Sequence, residues 1–278
     1  MTESKKVLQN SGDLHVHSRW SDGSLDIEQV VYLAARRGVK YISITDHDFL
    51  HDFEAVKKIG DQHNVHLIFG VELSCMDYKR NRKVHIICYN PKKPEILKPV
   101  CDEVLKSRNE SGKKVVGSII EKYCVIPSLI EKYKSKSGCY FETNILHALA
   151  ECGYSNMICG ELYNKVFKGE DKFNFHHTDV WEMLSLIKKA EGKSVLAHPS
   201  VHNSFDLLDE LVLKKVIDGV EVWHPKNGSF ETEKLYNIVK TNNLIATGGT
   251  DFHGLYGSSV VKIGDYHTPH VYIEKILK

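Results

Sequence analysis

Short apolar runs rich in β-branched residues alternate with longer segments of helical period along most of this chain. The apolar runs predict seven strands: Asp13–Val16, Lys40–Ile44, Leu67–Val71, Val84–Tyr89, Ser194–Ala197, Val220–Trp223 and Leu244–Thr247. The helical segments predict helices near Ile27–Arg37, Asp52–His63, Asp179–Ala190, Leu207–Lys215 and Glu231–Asn242. This alternation is typical of βα units with strands buried on both faces, so we expect an α/β fold built as an irregular parallel barrel.

The regular alternation stops between Tyr89 and Ser194. This block holds two helix-like stretches, around Ile96–Tyr123 and Thr143–Gly153. We therefore predict a helical cap subdomain over residues 91–189, inserted into a barrel made of residues 11–90 and 190–278. Helical insertions after a barrel strand lie over the catalytic rim and commonly supply substrate contacts.

Composition narrows the class of protein. The 278 residues include 37 Lys+Arg and 36 Asp+Glu, and a formal charge of +1 gives no general basic field for long nucleic acid. The seven cysteines are scattered and never spaced Cys-x-x-Cys, which indicates reduced thiols. No apolar stretch is long enough for a membrane span, and Met1–Gly12 lacks the apolar region of a signal peptide. We expect a cytoplasmic protein that does not enter a membrane.

Histidine pairs follow the first and last predicted strands. His15 and His17 are two residues apart, so on a strand they point to the same side and can bind one metal ion together. Asp251 and His253 repeat this spacing near the other end of the chain. For an isolated His-x-His, polar residues at a strand end are the alternative interpretation.

The other strand ends strengthen the metal interpretation. Asp46 and His47 follow the second strand, and Glu72 ends an apolar run, where a lone carboxylate is costly unless it is paired or coordinating. His85 lies within a strand, and His198 stands at the mouth of another. Six of the seven strands carry a metal-binding residue type at or near this position. Oxygen and nitrogen ligands without thiolate predict two or three ions of Mn, Zn or Fe.

Four segments resemble the signatures of the polymerase and histidinol phosphatase (PHP) family of phosphoesterases. They are Asp13-Leu14-His15-Val16-His17-Ser18, Ile44-Thr45-Asp46-His47, Ala197-His198-Pro199 and Gly249-Thr250-Asp251-Phe252-His253. The resemblance implies a distorted (β/α)7 barrel with a cluster of two or three metal ions. It assigns the first ion to His15, His17, Glu72 and Asp251, and the second to Glu72, His85 and His198. It assigns the third ion to His47 and His253, with Asp22 where some members place a histidine.

Within the family, the Ser21–Ser24 turn and the helical insertion resemble a bacterial branch. That branch removes phosphate from nucleoside 3′,5′-bisphosphates and trims RNA from its 5′ end. Glu142 and Asn144 stand where the branch usually carries arginine and histidine, so the bisphosphate substrate stays open.

The expected mechanism is attack on phosphorus by a hydroxide that the metal ions generate at neutral pH. Arg108 or Lys113 reaches from the cap to neutralise the phosphoryl oxygens, and His198 or His253 protonates the leaving oxygen. The catalytic residues are thus predicted as His198, Asp251 and His253. The predicted substrate contacts are Arg108, Lys113, Asn144, His177 and His224.

We therefore expect a metal-dependent phosphoesterase that hydrolyses phosphate monoesters of a small nucleotide-like substrate. Examples are a nucleoside 3′,5′-bisphosphate and a short 5′-phosphorylated RNA; no protein partner is indicated. A phosphodiesterase acting on cyclic sugar phosphates is one alternative. A non-catalytic accessory module of the kind fused to some polymerases is another, but no polymerase-like segment follows Lys278, which favours an enzyme.

Overall fold

A computed structural model describes residues 10–158, 160–167 and 173–278. Its strands are β1 (Ser11–Val16), β2 (Tyr41–Ile44), β3 (His66–Leu67), β4 (Gly70–Asp77), β5 (Arg82–Tyr89), β6 (Thr178–Asp179), β7 (Lys193–Leu196), β8 (Gly219–Trp223), β9 (Ile245–Gly248) and β10 (Thr268–Pro269). They form a four-stranded sheet in the order β10-β1-β2-β3 and a six-stranded sheet in the order β6-β4-β5-β7-β8-β9. The fold is therefore mixed α/β, as predicted.

The helices separate most of the parallel strands. They are α1 (Ile27–Arg37), α2 (Phe53–Gln62), α3 (Lys98–Lys122), α4 (Pro127–Tyr133), α5 (Glu142–Glu151), α6 (Glu161–Phe167), α7 (Val180–Lys189), α8 (Phe205–Leu213), α9 (Ser229–Asn242) and α10 (His270–Leu277). Parallel strands need such crossovers because their connections must return to the same end of the sheet. None of the helices in the described ranges is both long and apolar enough to cross a membrane.

Helix α1 shows how local sequence sets these elements. Its buried residues Ile27, Val30, Val31 and Ala34 follow helical spacing and form one apolar face. Asp26 precedes the helix, and its backbone N–H donates to the Gln29 side chain at 2.9 Å. The helix ends at Gly38, whose φ of 82° suits glycine. The packed face places the preceding β1 beside β2.

Strand β5 departs from the expected parallel arrangement. It pairs antiparallel with both β4 and β7, and the predicted strand Leu67–Val71 is divided between β3 and β4. Only residues 78–81 join β4 to β5. A connection this short makes a hairpin and cannot hold a crossover, so the two strands must run in opposite directions.

The two sheets meet along two lines. Val16 bridges to Phe252, and His47 bridges to Glu72. Backbone hydrogen bonds support the first line, where Asp251 N–H donates to the His15 carbonyl at 2.9 Å. The described strands form two joined sheets, and a single continuous closed sheet is not present among them.

The inserted helices have an apolar cluster of their own. Val115 and Ile119 of α3 pack there with Ile145 and Leu149 of α5. Tyr256, from the segment after β9, joins the same cluster. This contact holds the insertion against the end of the sheets that carries the strand-end histidines. Six cysteines in the described part are free; the seventh, Cys159, lies outside the described residues.

Gly249 allows β1 and the segment after β9 to approach each other. A Cβ atom at this position would lie 2.4 Å from His15 Cβ and 2.5 Å from His15 N. We expect Gly249→Ala to lower the free energy of unfolding by about 1–3 kcal/mol, as overpacking does, because the backbone must move. Chemical denaturation of the purified variant measures this loss.

Gly117→Ala is the matched control. Nothing lies within 4 Å of a Cβ built at Gly117, and the residue sits inside α3. Alanine is favoured over glycine in a helix by roughly 0.5–1 kcal/mol, so this variant should be slightly more stable than the wild type. Equal stability of the two variants would contradict the close approach at Gly249.

Candidate metal centre

The end of β1 presents two histidines on one face. The side chains of His15 and His17 are both 0% exposed, and their ring centroids are 5.2 Å apart. Leu14 and Val16 occupy the alternate positions and pack in apolar clusters. Because successive residues of a strand point to opposite faces, the apolar packing of Leu14 and Val16 directs both imidazoles to the other side.

Glu72 of β4 lies at the centre of these histidines. One carboxylate oxygen, Oε2, lies 3.2 Å from His15 Nε2, 3.1 Å from His17 Nε2 and 3.3 Å from His47 Nδ1. The other, Oε1, lies 2.9 Å from both His85 Nδ1 and His198 Nε2. The backbone bridge between His47 and Glu72 fixes the position of the carboxylate. One buried carboxylate thus gathers imidazoles from both sheets.

Two aspartates complete the arrangement. Asp251 Oδ1 lies 3.1 Å from His17 Nε2 and 3.4 Å from His15 Nε2. Asp22 Oδ1 lies 3.4 Å from His253 Nε2, and its Oδ2 lies 3.7 Å from His47 Nε2. We call the nine residues the ligand cluster: His15, His17, Asp22, His47, Glu72, His85, His198, Asp251 and His253.

Within the described ranges, four overlapping groups place their nitrogen and oxygen atoms within 4.8 Å of one another. They are His15/His17/Glu72/Asp251, His17/Asp22/His47/His253, His47/Glu72/His85 and His85/His198/His202. The structure therefore brings together all nine residues that the sequence assigns to metal. It adds His202, which the sequence analysis did not assign.

The cluster and the adjoining His202 contain buried polar atoms that make no hydrogen bond of acceptable geometry, although some of them lie close to one another. They are His15 Nε2, His17 Nε2, His47 Nδ1, Glu72 Oε2, His85 Nδ1, His198 Nδ1 and His202 Nε2. Leaving such a group buried and unsatisfied costs about 1–3 kcal/mol, and a cation would satisfy several at once. Imidazole nitrogens and carboxylate oxygens suit Mn, Zn or Fe. The residues present fit divalent metal ions.

The buried carboxylates of the cluster also require positive charge close to them. Burial lowers the pKa of His17, but the neighbouring carboxylates of Asp251 and Glu72 raise it overall to about 10. Burial raises the pKa of Glu72, but His47 and His15 bring it well below its ordinary value. Without metal ions, protons on the imidazoles supply the compensating charge; bound cations would supply it instead.

Glu221 of β8 supports the cluster from behind. Its Oε1 lies 2.9 Å from His15 Nδ1, and its Oε2 accepts the backbone N–H of His198 at 2.9 Å. The carboxylate is fully buried. A carboxylate on the far nitrogen of a ligating histidine fixes the ring and makes the near nitrogen a better ligand. The sequence predicts the strand Val220–Trp223 but assigns no role to Glu221, because no motif marks it.

Asp46 reaches a histidine of the cluster through Ser21, whose hydroxyl lies 2.6 Å from Asp46 Oδ1 and 3.4 Å from His17 Nδ1. The sequence suggests that it orients a histidine ligand. In the structure it accepts hydrogen bonds from His51 Nε2 at 2.7 Å, from Ser18 N–H at 2.8 Å and from the Ser21 hydroxyl at 2.6 Å. Asp46 therefore fixes the turn that follows His17 and leads to Asp22.

Asp13 joins the first and last parts of the chain. Its carboxylate accepts the Thr250 hydroxyl at 2.7 Å, the Thr250 N–H at 2.9 Å and the Gly264 N–H at 2.8 Å. Burial raises its pKa to about 6 despite these hydrogen bonds. These contacts hold Asp251 beside His15 and His17.

Residues 13–270 match the model of the PHP domain. The chain belongs to the PHP family. The resemblance in the four sequence signatures is thereby confirmed.

Relatives within the PHP family cover nearly the whole chain. The phosphoribosyl 1,2-cyclic phosphate 1,2-diphosphodiesterase of Eggerthella lenta is 30% identical over 88% of this chain and 95% of its own length. The 5′-3′ exoribonuclease Rnm of Escherichia coli is 27% identical over 87% of this chain and 84% of its own. A structure from Bifidobacterium adolescentis, described as a metal-dependent phosphoesterase, superposes with a TM-score of 0.86 at 22% identity, covering 95% of this chain and 94% of the other.

The structure places the five predicted substrate residues in different surroundings. Arg108 of α3 is buried; its Nη2 donates to Asp48 Oδ2 at 3.0 Å and to the Ser74 hydroxyl at 2.9 Å. Its guanidinium lies between the rings of Phe141 and Phe175, 4.6 and 4.0 Å from their centroids. These four residues fix the position of the Arg108 side chain. They are far from Arg108 in sequence, so the contacts could not be predicted from the sequence.

The other four candidates differ in exposure and contacts. Lys113 is exposed on α3. Asn144 is buried, and its side chain accepts the Phe141 N–H at 3.3 Å at the start of α5. His177 stacks on Phe175 at 4.2 Å. His224 adjoins the cluster directly, with its Nε2 3.4 Å from Asp251 Oδ2.

One cavity opens beside the cluster, and a second cavity adjoins the first. The first, of about 180 Å³, is lined by Asp22, Asp251 and His253 on one side and by His224 and Lys226 on another. The second, of about 650 Å³, lies between the insertion and the segment after β9, and is lined by Tyr133, His147 and Met157 among others. Gly257 and Ser258 line both cavities. Lys226 carries no motif signal and was missed.

Metal ions should stabilise the protein strongly, because they satisfy the unpartnered atoms of the cluster. Adding Mn²⁺ or Zn²⁺ to chelator-stripped protein at 100 times its dissociation constant should add about 2.7 kcal/mol for one independent site. Thermal denaturation measures the accompanying rise in Tm.

Glu72→Gln serves as the control for this stabilisation. It keeps the side-chain shape but removes the charge shared by the imidazoles. We expect its Tm to respond far less to either ion at the same concentration. A wild-type-sized response of this variant would show that the ions bind elsewhere.

Proposed function

We propose that this protein is a hydrolase that breaks phosphate ester bonds with the help of two or three divalent cations, Mn, Zn or Fe, at the ligand cluster. The observation that carries the proposal is the carboxylate of Glu72, placed within 3.3 Å of five imidazole nitrogens. Membership of the PHP family and the phosphoesterase names of its relatives support it.

Cations bound there would lower the pKa of a water ligand and offset negative charge on the phosphoryl oxygens. The chain's own groups then position the substrate. Lys226 lines the first cavity together with Asp22 and Asp251, and we propose that its ammonium group contacts a phosphoryl oxygen there. The carboxylates keep the imidazoles in place, so little reorganisation is needed when substrate enters.

The hydrogen bond made by Nδ1 of a neutral histidine indicates whether its Nε2 carries a proton. His253 Nδ1 donates to the Asp251 carbonyl at 2.7 Å, which leaves Nε2 as a ligand atom beside Asp22. His224 has the opposite arrangement: its Nδ1 accepts the Lys226 N–H at 3.1 Å, so its Nε2 carries the proton. His224 also lines the first cavity. We assign it, ahead of His198 and His253, as the group that protonates the leaving oxygen.

The division of the chain follows from the same proposal. Residues 11–90 and 190–278 act as a distorted (β/α)7 barrel that carries the cluster, and residues 91–189 act as an inserted cap, except that β6 and α7 at its end join the six-stranded sheet and its apolar core. The bridges Val16–Phe252 and His47–Glu72, which join the sheets on both sides of the cluster, support this division. The separate apolar cluster of the inserted helices supports it too.

We propose a small phosphorylated substrate with its phosphoryl group in the first cavity and its base or sugar in the second. Tyr133 and His147, stacked at 3.7 Å, line the second cavity and offer a flat surface to a ring. A nucleotide or the 5′ end of a short RNA would fit these two cavities. The relative named a 5′-3′ exoribonuclease supports this proposal.

A cyclic sugar phosphate is the second candidate substrate. Arg108 already pairs with Asp48, so its positive charge is largely compensated and attracts a second phosphate less. This favours a substrate with one phosphoryl group at the cations. The relative named a phosphoribosyl cyclic phosphate diphosphodiesterase, at 30% identity, points the same way.

Activity should depend on metal and should distinguish these substrates. We expect chelator-stripped protein to recover phosphate release or ring opening when Mn²⁺ is added. A panel of adenosine 3′,5′-bisphosphate, mononucleotides, 5′-phosphorylated RNA and cyclic sugar phosphates, compared by kcat/KM, identifies the substrate class. Equal activity in metal-free protein would refute the proposal.

Lys226→Met tests the phosphate-binding role of Lys226. Loss of a charge-assisted contact to a phosphoryl oxygen should lower kcat/KM by about tenfold or more, corresponding to roughly 1.5–3 kcal/mol. Metal content by elemental analysis should not change. The control, Lys58→Met, removes an exposed charge from α2 and should keep wild-type kinetics. Similar kinetics of the two variants would exclude Lys226 from the site.

A further inference from the structure

His202 lies beside two members of the ligand cluster. Its ring centroid is 4.8 Å from that of His85 and 5.3 Å from that of His198. The rings of His85 and His198 are themselves 5.2 Å apart. One nitrogen from each of the three lies within 4.8 Å of the others. The three imidazoles therefore form a compact triangle on one side of Glu72.

Three nitrogens of this triangle are buried and have no hydrogen-bond partner within the described residues. They are His85 Nδ1, His198 Nδ1 and His202 Nε2. A histidine in an ordinary structural role would place such a nitrogen on a carbonyl, a carboxylate or solvent. Unsatisfied nitrogens on adjacent rings instead point to a shared ligand that accepts lone pairs.

Hydrogen bonds of the turn that carries His202 fix the position of this residue. The turn after His198 closes through Ser204 N–H, which donates to the Pro199 carbonyl at 2.9 Å. Arg82 donates to the Asn203 carbonyl and holds Asp206 at 2.5 Å. Arg82 belongs to β5, the strand that also carries His85. One strand thus supplies the first histidine of the triangle and anchors the turn that supplies the third.

We propose that His202 is a metal ligand and that His85, His198 and His202 form a three-imidazole site beside Glu72. This set is richer in nitrogen than the group formed by His15, His17, Glu72 and Asp251. Imidazole-rich sites suit Zn²⁺, whereas carboxylate-rich sites suit Mn²⁺. The two sides of Glu72 therefore differ in metal preference, and the three-imidazole side binds Zn²⁺. The inference rests on the metal-dependent function proposed above.

The test is metal binding by the intact protein, measured without substrate. Chelator-stripped wild type and His202→Ala are titrated with Zn²⁺ against a chromophoric chelator, and bound metal is counted by elemental analysis. We expect His202→Ala to bind one Zn²⁺ at least tenfold more weakly, since even partners outside the ligand shell are worth 10–100-fold. Exogenous imidazole should restore the affinity by filling the space left by the ring.

His66→Ala is the matched control. His66 is an exposed histidine on β3, paired with Tyr41 at the start of β2, and its loss should leave every Zn²⁺ affinity unchanged. Circular dichroism of His202→Ala reports whether the variant is folded, and His202→Gln provides a second variant that fills more of the space.

The outcomes separate this inference from the proposed function. Identical Zn²⁺ titrations of His202→Ala, His202→Gln and His66→Ala would overturn the assignment of His202, even if His202→Ala were slower in catalysis. A wild-type protein that binds neither Zn²⁺ nor Mn²⁺ would instead overturn the metal centre as a whole.

Discussion

The structure depends on compensation of the buried charge on Glu72. A carboxylate that is 1% exposed is costly unless positive charge or strong donors surround it. Five imidazoles perform this task, and they come from strands and loops of both sheets. Convergence on one point constrains the rest of the fold. Glycine at 249, the carboxylate of Asp13 and the support from Glu221 all serve to bring these side chains close together.

Much of this arrangement could be predicted because it is local in sequence. The apolar period gave α1 its bounds, Ile27–Arg37, and the positions just after apolar runs contain the histidines and carboxylates of the cluster. Strand period carries no information on strand direction, so the antiparallel β5 was not predicted. Local patterns also do not predict contacts between residues that are far apart in sequence. Asp48 and Arg108 are 60 residues apart and meet only in the folded chain.

The ligand cluster and the larger cavity are separated in space. The ligand cluster is formed by residues on the strands and on the loops that follow them, where the two sheets meet. The insertion contributes the wall of the larger cavity and the buried Arg108, whose charge is used within the protein. Tyr133 and His147 line this cavity and lie outside the ligand cluster, so a change at either position leaves the residues of the cluster unchanged.

The contact between Asp13 and Thr250 spans 237 residues of sequence. Long-range contacts of this kind form late, because the entropy of closing a long loop must be overcome first. On the ribosome, His15 and His17 emerge well before Asp251 and His253 can join them, while domains generally fold as units. The group formed by His15, His17, Glu72 and Asp251 can therefore assemble only after residue 251 has been made and has packed against β1.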